Sequence, residues 1–479
     1  MFLKLVKLEN KINVIIEYNL YLLVFLLPIQ TRLILRAGEI NGGYLEYLTI
    51  SLYGVDILLF LLLMLFVFIK FKNSTFNIRH LTFGYWYIIG ALDLFIFISI
   101  FFATDIWLAL YRYGLFLLGV GLFWLAASAD YSRIKLIWAL LAGFVCQAGL
   151  GIWQFFTQFA FGSKWLGLAR HSPADLGASV IELIAPDGVG ERWLRAYGGL
   201  DHPNVLGGVL VIGILLILSL LIRNSKNEIL NSKQIQNPKS KYRNLILFTF
   251  YFLLFTSLFF SFSRTAWLAA IAGIILMLVL TVIRKNWLAQ RELLIIILIS
   301  GFLTFGLYSQ YGNLVKTRFS GDTRLEAMSS GERIEYIGEA KEIIKKNWLF
   351  GGGIGNYSLA SKELNDSQVK DEGGKNYFLE AKKQAWAYQP VHNVFLLVWA
   401  EIGIVGLLGF LGLLGYLGWS ALKRFWKEED YISLPLLLAL VIIMMFDHWL
   451  WSLHFGVLWF WLILGLIVKQ KSPEVIYRK

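Results

Sequence analysis

The chain has 479 residues and a net charge of +12, yet 57% of its residues are hydrophobic and only 16% are charged. A soluble domain carries about 25% charged residues, so this composition excludes an ordinary soluble protein, and the positive charge does not require nucleic acid as a partner. The apolar residues cluster in runs long enough to cross a bilayer as helices. The sequence therefore predicts an all-α polytopic membrane protein.

Twelve apolar runs predict about 12 transmembrane helices. In chain order they lie near 16–36, 53–70, 81–102, 108–127, 136–158, 203–222, 244–261, 265–284, 292–309, 392–419, 433–447 and 452–469. Residues 1–13 are expected to form a basic amphipathic helix on the membrane surface. We expect a single integral membrane domain with helices 1–9 in residues 1–309, a large, partly helical outer loop at 310–391, and helices 10–12 in residues 392–479.

Lysine and arginine are concentrated in alternate connections between these runs. The connection at 223–243 holds six of them against Glu228 alone. Such an excess is typical of cytoplasmic loops, so both termini are predicted to lie in the cytoplasm. The protein itself is expected in the cytoplasmic (inner) membrane. The connections at 37–52, 160–202 and 310–391 then face the periplasm or the exterior, where we expect the active site.

The segment 392–406 opens the tenth predicted span and follows the long hydrophilic loop. It holds the pair His392-Asn393, nine further residues, and Gly-x-x-Gly at Gly403 and Gly406. The positive end of a helix disfavours protonation of an imidazole. His392 is therefore a candidate general base, and the alternative is a histidine that only anchors the helix at the interface.

A helix is also predicted in the large loop, from a capping box at Ser329 and Glu332 to a stop at Gly351. Its apolar face is predicted to carry Ile334, Ile337, Ala340, Ile343, Ile344 and Trp348, and its solvated face Glu332, Glu335, Glu339, Glu342 and Lys346. Arg333 falls in the middle of the apolar face. Because burying a guanidinium is costly without an anion, Arg333 is expected either to pair with a buried carboxylate of a span or to hold an anionic ligand.

Arg264 is a second outward arginine, at the start of a span, where a plain interfacial anchor is the alternative. An arginine can bond two oxygens of a phosphate at once, so Arg264, Arg333 and His392 at one membrane face predict phosphate recognition. The weaker, supporting candidates are Asn393, His202, Asn204 and Asp447. Because the sequence has neither Cys/His zinc spacing nor an Asp-x-Asp pair in an outer loop, no metal site is expected.

Structural rather than functional roles are favoured for two glycine patterns. Gly351–Gly355 could offer backbone N–H groups to a phosphate, but a helix stop followed by a turn is favoured. Glycines recur at every third position from Gly403 to Gly418, where small residues are expected to allow close packing of neighbouring helices.

Taken together, these motifs resemble the O-antigen ligase and polymerase superfamily of bacterial membrane glycosyltransferases, and most of all the O-antigen ligase family. The resemblance covers most of the chain and rests on four elements: His392-Asn393 with Gly403 and Gly406; Ser263 to Trp267; Gly331 to Arg333 with Gly351 to Gly355; and His202 to Asn204. The chain departs from the family pattern at Thr265, where glycine is usual, at Tyr336 or Ile337, where tryptophan is usual, and in the extended segment 365–390.

The resemblance implies a C-type glycosyltransferase-like fold. Because the outer loops offer no paired carboxylates beside the candidate site, we expect a metal-independent enzyme without a cofactor. The donor would be a glycan linked to a polyprenyl diphosphate such as undecaprenyl diphosphate. Arg264 and Arg333 would hold the diphosphate, and His392 would deprotonate an acceptor hydroxyl in an inverting transfer.

The acceptor stays open. It would be the lipid A core of lipopolysaccharide or another glycan for a ligase, a growing glycan for a polysaccharide polymerase, and a protein hydroxyl for a protein O-oligosaccharyltransferase. The non-enzyme alternative is a lipid-linked sugar transporter, whose site would be expected at the membrane midplane.

Overall fold

The computed structural model describes residues 2–72, 84–184, 190–230, 238–320, 324–371 and 383–469. Helices dominate this part of the chain. They are α1 (Phe2–Leu26), α2 (Gly54–Lys72), α3 (Tyr85–Ser99), α4 (Ile106–Ser128), α5 (Arg133–Thr157), α6 (Pro203–Leu230), α7 (Pro238–Phe260), α8 (Arg264–Ile283), α9 (Trp287–Ser320), α10 (Arg324–Lys346), α11 (Tyr357–Asp371), α12 (Val394–Glu428), α13 (Ser433–Phe446), α14 (Trp449–Ser452) and α15 (His454–Val468).

Among the described residues, nine helices are long and apolar enough to cross a membrane: α2 to α9 and α12. The other three predicted spans correspond to α1 and to the shorter apolar helices α13 and α15. The fold class is as predicted, an all-α polytopic membrane protein. The expected twelve spans exceed the nine helices that meet these length and composition criteria.

The first predicted span, 16–36, is wrong at its C-terminal end. Helix α1 runs without a break from Phe2 to Leu26, so the expected surface helix at 1–13 is part of it. Residues Arg32–Arg36 instead form strand β1, which pairs antiparallel with β4 (Ile50–Tyr53). The charged ends explain the difference, because Arg32 forms an ion pair with Glu46 and Arg36 lies 2.6 Å from Asp105.

Two more small antiparallel pairs lie between helices. Strands β2 (Glu39–Ile40) and β3 (Gly43–Tyr44) form a short hairpin, and β5 (Val180–Ile184) pairs with β6 (Gly190–Leu194) ahead of α6. Both lie in connections that were expected to be loops. They shape the segments that lead into α2 and α6.

The large loop is partly helical, as the sequence predicts. Helix α9 continues past residue 309 to Ser320 through a non-helical residue, Tyr311, and α10, α11 and a short 3₁₀ turn at Ala385–Tyr388 follow. The basic connection at 223–243 includes 231–237, and the extended segment 365–390 includes 372–382; both of these stretches lie outside the described residues.

Helix α6 lies at the centre of the bundle. In its most apolar 18 residues, which lie within Pro203–Arg223, 94% of the residues are buried, and the helix packs against α5, α7, α8, α9 and α13. Helix α12 packs against α3, α10 and α13. As a result, the first residues of α6, α8 and α12 and the last residues of α13 meet at one end of the bundle, beside α10.

Candidate active site

His392 directly precedes α12 and faces the turn between α13 and α14. Its Nδ1 lies 3.7 Å from Oδ1 of Asp447, which is longer than a formed hydrogen bond. Its ring centroid is 4.9 Å from that of His448. The His392 side chain is 21% exposed, whereas Asp447 and His448 are buried. Within this cluster, His392 is therefore the group that a substrate can reach.

Asp447 is held in place from two sides. The side-chain amide of Asn204 donates to Oδ2 at 3.0 Å, and the backbone N–H of His448 donates to Oδ1 at 2.8 Å. Burial alone would raise the pKa of Asp447, but its interaction with the His392 imidazole outweighs burial and holds the pKa below the usual range. Asp447 is thus a fixed carboxylate beside His392.

Arg195 supports this arrangement by binding Asn204, which in turn binds Asp447. Its Nη2 donates to Oδ1 of Asn204 at 2.9 Å, and its other donors reach the backbone oxygen of Ser261 and the hydroxyl of Ser179, both at 2.8 Å. Sequence reasoning missed Arg195, which no motif marks. The available signal was a charged residue between the apolar Leu194 and Ala196 just ahead of a span.

His202 is close to Asn204 but has a local role. Its Nδ1 accepts from the backbone N–H of Asn204 at 3.1 Å, at the start of α6. Burial, followed by the nearby Arg195 guanidinium, lowers the pKa of His202 to about 3. A neutral imidazole there satisfies a free N–H group of the helix start.

Asn393 explains why histidine and asparagine occur together. Its side-chain oxygen accepts from the backbone N–H of Leu396 at 3.0 Å, which makes it the N-cap of α12. Its amide donates to the backbone oxygen of Met445 at 3.0 Å. Asn393 therefore joins the start of α12 to the end of α13 and brings His392 beside Asp447.

Arg264 is the first residue of α8, after the N-cap Ser263. It donates to the backbone oxygen of Arg318 at 2.7 Å and lies 3.4 Å from a carboxylate oxygen of Glu326. Arg318 forms a closer ion pair with the same Glu326. One buried carboxylate is therefore shared by two guanidinium groups, and a third of the Arg264 side chain remains exposed.

Arg333 lies half-buried on α10. Among the residues that the structure describes, no carboxylate forms an ion pair with it, so the expected pairing with a carboxylate of a span is not seen. It interacts electrostatically with Arg318 and with His448. The structure therefore places Arg333 near both the arginine group and the histidine cluster.

The predicted faces of α10 are partly wrong. Ile334 is 73% exposed, whereas Tyr336 and Glu339 are buried. Glu339 is satisfied because Ser361 and Asn365 of α11 donate to its carboxylate. The buried face of α10 is accordingly rotated toward α11 and α12.

The glycine-rich segment after α10 is a helix stop and turn. The N–H groups of Gly352 and Gly353 donate to the backbone oxygens of Ala400 and Glu401 at 2.8 and 2.9 Å. They fill the gap where Gly403, with a φ of +73°, breaks the helical conformation of α12. These two N–H groups are therefore occupied, which argues against a phosphate loop.

Close packing explains the first glycine of the three-residue repeat but not all of them. A Cβ atom at Gly403 would lie 2.0 Å from the backbone oxygen of Leu349, whereas one at Gly415 would meet open space. The prediction that the whole repeat allows close helix packing is wrong at Gly415.

Residues 249–411 match the family model described as O-antigen ligase. The matched segment contains Arg264, Arg333 and His392. The match supports the O-antigen ligase superfamily, whose members are membrane glycosyltransferases or ligases, and thus supports an enzyme in general. A comparison with curated proteins found no match.

Proposed function

We propose that the protein transfers a glycan from a polyprenyl-diphosphate-linked donor to an acceptor hydroxyl, with inversion at the anomeric carbon, as an O-antigen ligase-like enzyme. The observation that carries this proposal is a partly exposed histidine beside a fixed carboxylate, at the helix ends that also carry arginine. The site would face the periplasm or exterior, with both termini in the cytoplasm.

His392 acts as the general base. It takes the proton of the acceptor hydroxyl while the hydroxyl oxygen attacks the anomeric carbon. The bond from that carbon to the diphosphate breaks, and the electron pair leaves with the polyprenyl diphosphate. Protonation of His392 creates a positive charge 3.7 Å from Asp447, which stabilises it. A positioned base of this kind contributes about 10²–10⁴-fold to the rate.

The arginines bind the diphosphate. Arg195, Arg264 and Arg318 interact electrostatically with one another and with the carboxylate of Glu326, and Arg333 interacts with Arg318. Arg195 and Arg318 are occupied by acceptors of the chain itself, which leaves Arg264 and Arg333 as the groups for the substrate. Their excess positive charge stabilises the charge that develops on the leaving diphosphate, so the transfer needs no metal ion.

The acceptor is a glycan or lipid A core in this proposal. A ligase and a polymerase use the same donor and the same base, and the family match covers both types. A growing glycan as acceptor would make the protein a polymerase, and a protein hydroxyl would make it an O-oligosaccharyltransferase.

The test is transfer by purified protein in lipid nanodiscs, with a polyprenyl-diphosphate-linked glycan and each acceptor class in turn. His392→Ala should lower turnover by about 10²–10⁴-fold, and chelation of divalent metals should leave wild-type turnover unchanged. His171→Ala is the matched control, because it also removes an imidazole but lies outside the His392 cluster. His171 stacks on Tyr197 in the connection before α6. More than a few per cent residual turnover in His392→Ala would refute the role of the base.

A further inference from the structure

We infer that His392, Asp447 and His448 form a binding site for a divalent transition metal such as Zn²⁺, and that the bound metal inhibits transfer. The site itself follows from geometry alone. The inhibition rests on the proposed function, because it requires His392 to be the base.

The three side chains converge on one point. Each offers a ligand atom, and these atoms lie within 4.8 Å of one another. Nδ1 of His392 is buried and, within the described part of the chain, has no hydrogen-bond partner. It faces Asp447 at 3.7 Å. Nδ1 of His448 bonds with the hydroxyl of Ser452 at 2.7 Å, which leaves Nε2 of His448 for a metal.

The donor set selects the class of metal. Two imidazole nitrogens and one carboxylate oxygen are typical ligands of zinc sites that keep a fourth position for water. Imidazole suits Zn²⁺, Co²⁺, Ni²⁺ and Cu²⁺, whereas Mg²⁺ prefers oxygen ligands. Zinc–nitrogen bonds are about 2.0–2.1 Å long, which places tetrahedral donors roughly 3.3 Å apart, so ligand atoms as far as 4.8 Å apart must approach one another by up to about 1.5 Å. His392, which is partly exposed and lacks a hydrogen bond at Nδ1, is the ligand best able to move.

The surroundings orient two of the three ligands in advance. Ser452 fixes the His448 ring, while Asn204 and a backbone N–H group fix the Asp447 carboxylate. Metal ligands are commonly held by such outer hydrogen bonds. The exposed side of His392 provides a path by which an ion can enter.

Metal binding is incompatible with the base role. A metal on Nδ1 of His392 leaves the single ring proton on Nε2, so the ring has no lone pair that can accept a proton. The metal also takes over the Asp447 carboxylate. Bound Zn²⁺ should therefore block deprotonation of the acceptor without displacing the diphosphate from the arginines.

The binding test uses full-length protein without a polyhistidine tag, purified in detergent and freed of metal. Co²⁺ should bind with one equivalent and give the visible absorption of a nitrogen- and oxygen-ligated ion. Zn²⁺ should displace it, and millimolar Mg²⁺ should not. His448→Gln, which retains a polar partner for Ser452, should lose this binding at least tenfold, whereas His171→Ala should keep it.

Equal Co²⁺ binding by wild-type protein and His448→Gln, with both variants folded by circular dichroism, would overturn the site. Displacement of Co²⁺ by Mg²⁺ as effectively as by Zn²⁺ would overturn it as well. Neither readout needs substrate, so the metal site can fail while the proposed transfer stands.

The inhibition test adds Zn²⁺ to the transfer assay. Wild-type turnover should fall and return on chelation, and the turnover that His448→Gln retains should be at least tenfold less sensitive to Zn²⁺. Turnover that requires Zn²⁺ would overturn the inhibition. Metal binding by a protein that transfers no glycan under any condition would refute the proposed function and leave the metal site standing.

Discussion

Asp447 shows how one residue can decide the chemistry of another. It is buried, yet its charge lies next to the ring that would become positive in the proposed transfer. Its hydrogen bonds with Asn204 and with the backbone N–H of His448 hold it there without neutralising it. The charge and the shape of this side chain can therefore be separated by substitution.

Asp447→Asn keeps the shape and removes the charge, although its amide nitrogen cannot accept one of the two hydrogen bonds that Asp447 accepts. Turnover should fall by about 10²-fold or more, because the imidazolium loses its counter-charge, while the KM for the lipid-linked donor should change little. Steady-state kinetics with varied donor measure both quantities. A normal kcat in Asp447→Asn would show that Asp447 has only a structural role.

Arg333 is expected to recognise the diphosphate through its planar fork. Arg333→Lys keeps the charge but cannot bond two oxygens at once, so donor KM should rise or kcat fall by tenfold or more. Arg324→Lys is the matched control on the same helix, because Arg324 is largely exposed and pairs with Glu182. Full activity of Arg333→Lys would contradict bidentate binding.

At the scale of elements, local signals predicted the residues at helix starts. Asn393 caps α12 and Arg264 begins α8, and both positions follow from the order of polar and apolar residues in the sequence. Arg195, Arg318 and Glu326 were missed because their role depends on which distant helix ends converge. Periodicity also cannot fix the rotation of a helix such as α10 when a partner satisfies a buried carboxylate, as α11 does for Glu339.

Gly403 gives the sharpest test of the α12 break. Gly403→Ala forces a side chain into a φ of +73° and toward the Leu349 oxygen at 2.0 Å. The backbone conformation alone costs about 1–3 kcal/mol, so thermal unfolding in detergent should occur at a clearly lower temperature. Gly415→Ala, which meets open space, is the control. An unchanged melting temperature for Gly403→Ala would argue against this close approach.

At the scale of the whole molecule, the length of the apolar runs was enough to predict the fold class. The first span was misplaced because an apolar run flanked by Arg32 and Arg36 has the composition of a membrane segment but pairs as a strand. The convergence of α6, α8, α12 and α13 at one end was not predictable from composition, since it depends on the order in which the helices pack.

The proposed orientation can be checked with reporters. A phosphatase or green fluorescent reporter inserted near residue 235 should report a cytoplasmic position, because the connection at 223–243 is strongly basic. A reporter near residue 365 should report the periplasm or exterior. The reverse pattern would move every proposed site residue to the cytoplasmic face and remove the basis for the proposed transfer.

The break in α12 also limits where this protein can be engineered. The segment from Trp348 to Gly353 exchanges backbone hydrogen bonds with residues 400–404, so it completes a helix that belongs to the bundle. Its displacement would leave carbonyl and N–H groups without partners in apolar surroundings, at a cost of about 1–3 kcal/mol for each group. An affinity tag or a fused domain should therefore be tolerated beyond the exposed Asp366 in α11, but a single residue added between Trp348 and Gly353 should shift this register and prevent stable expression.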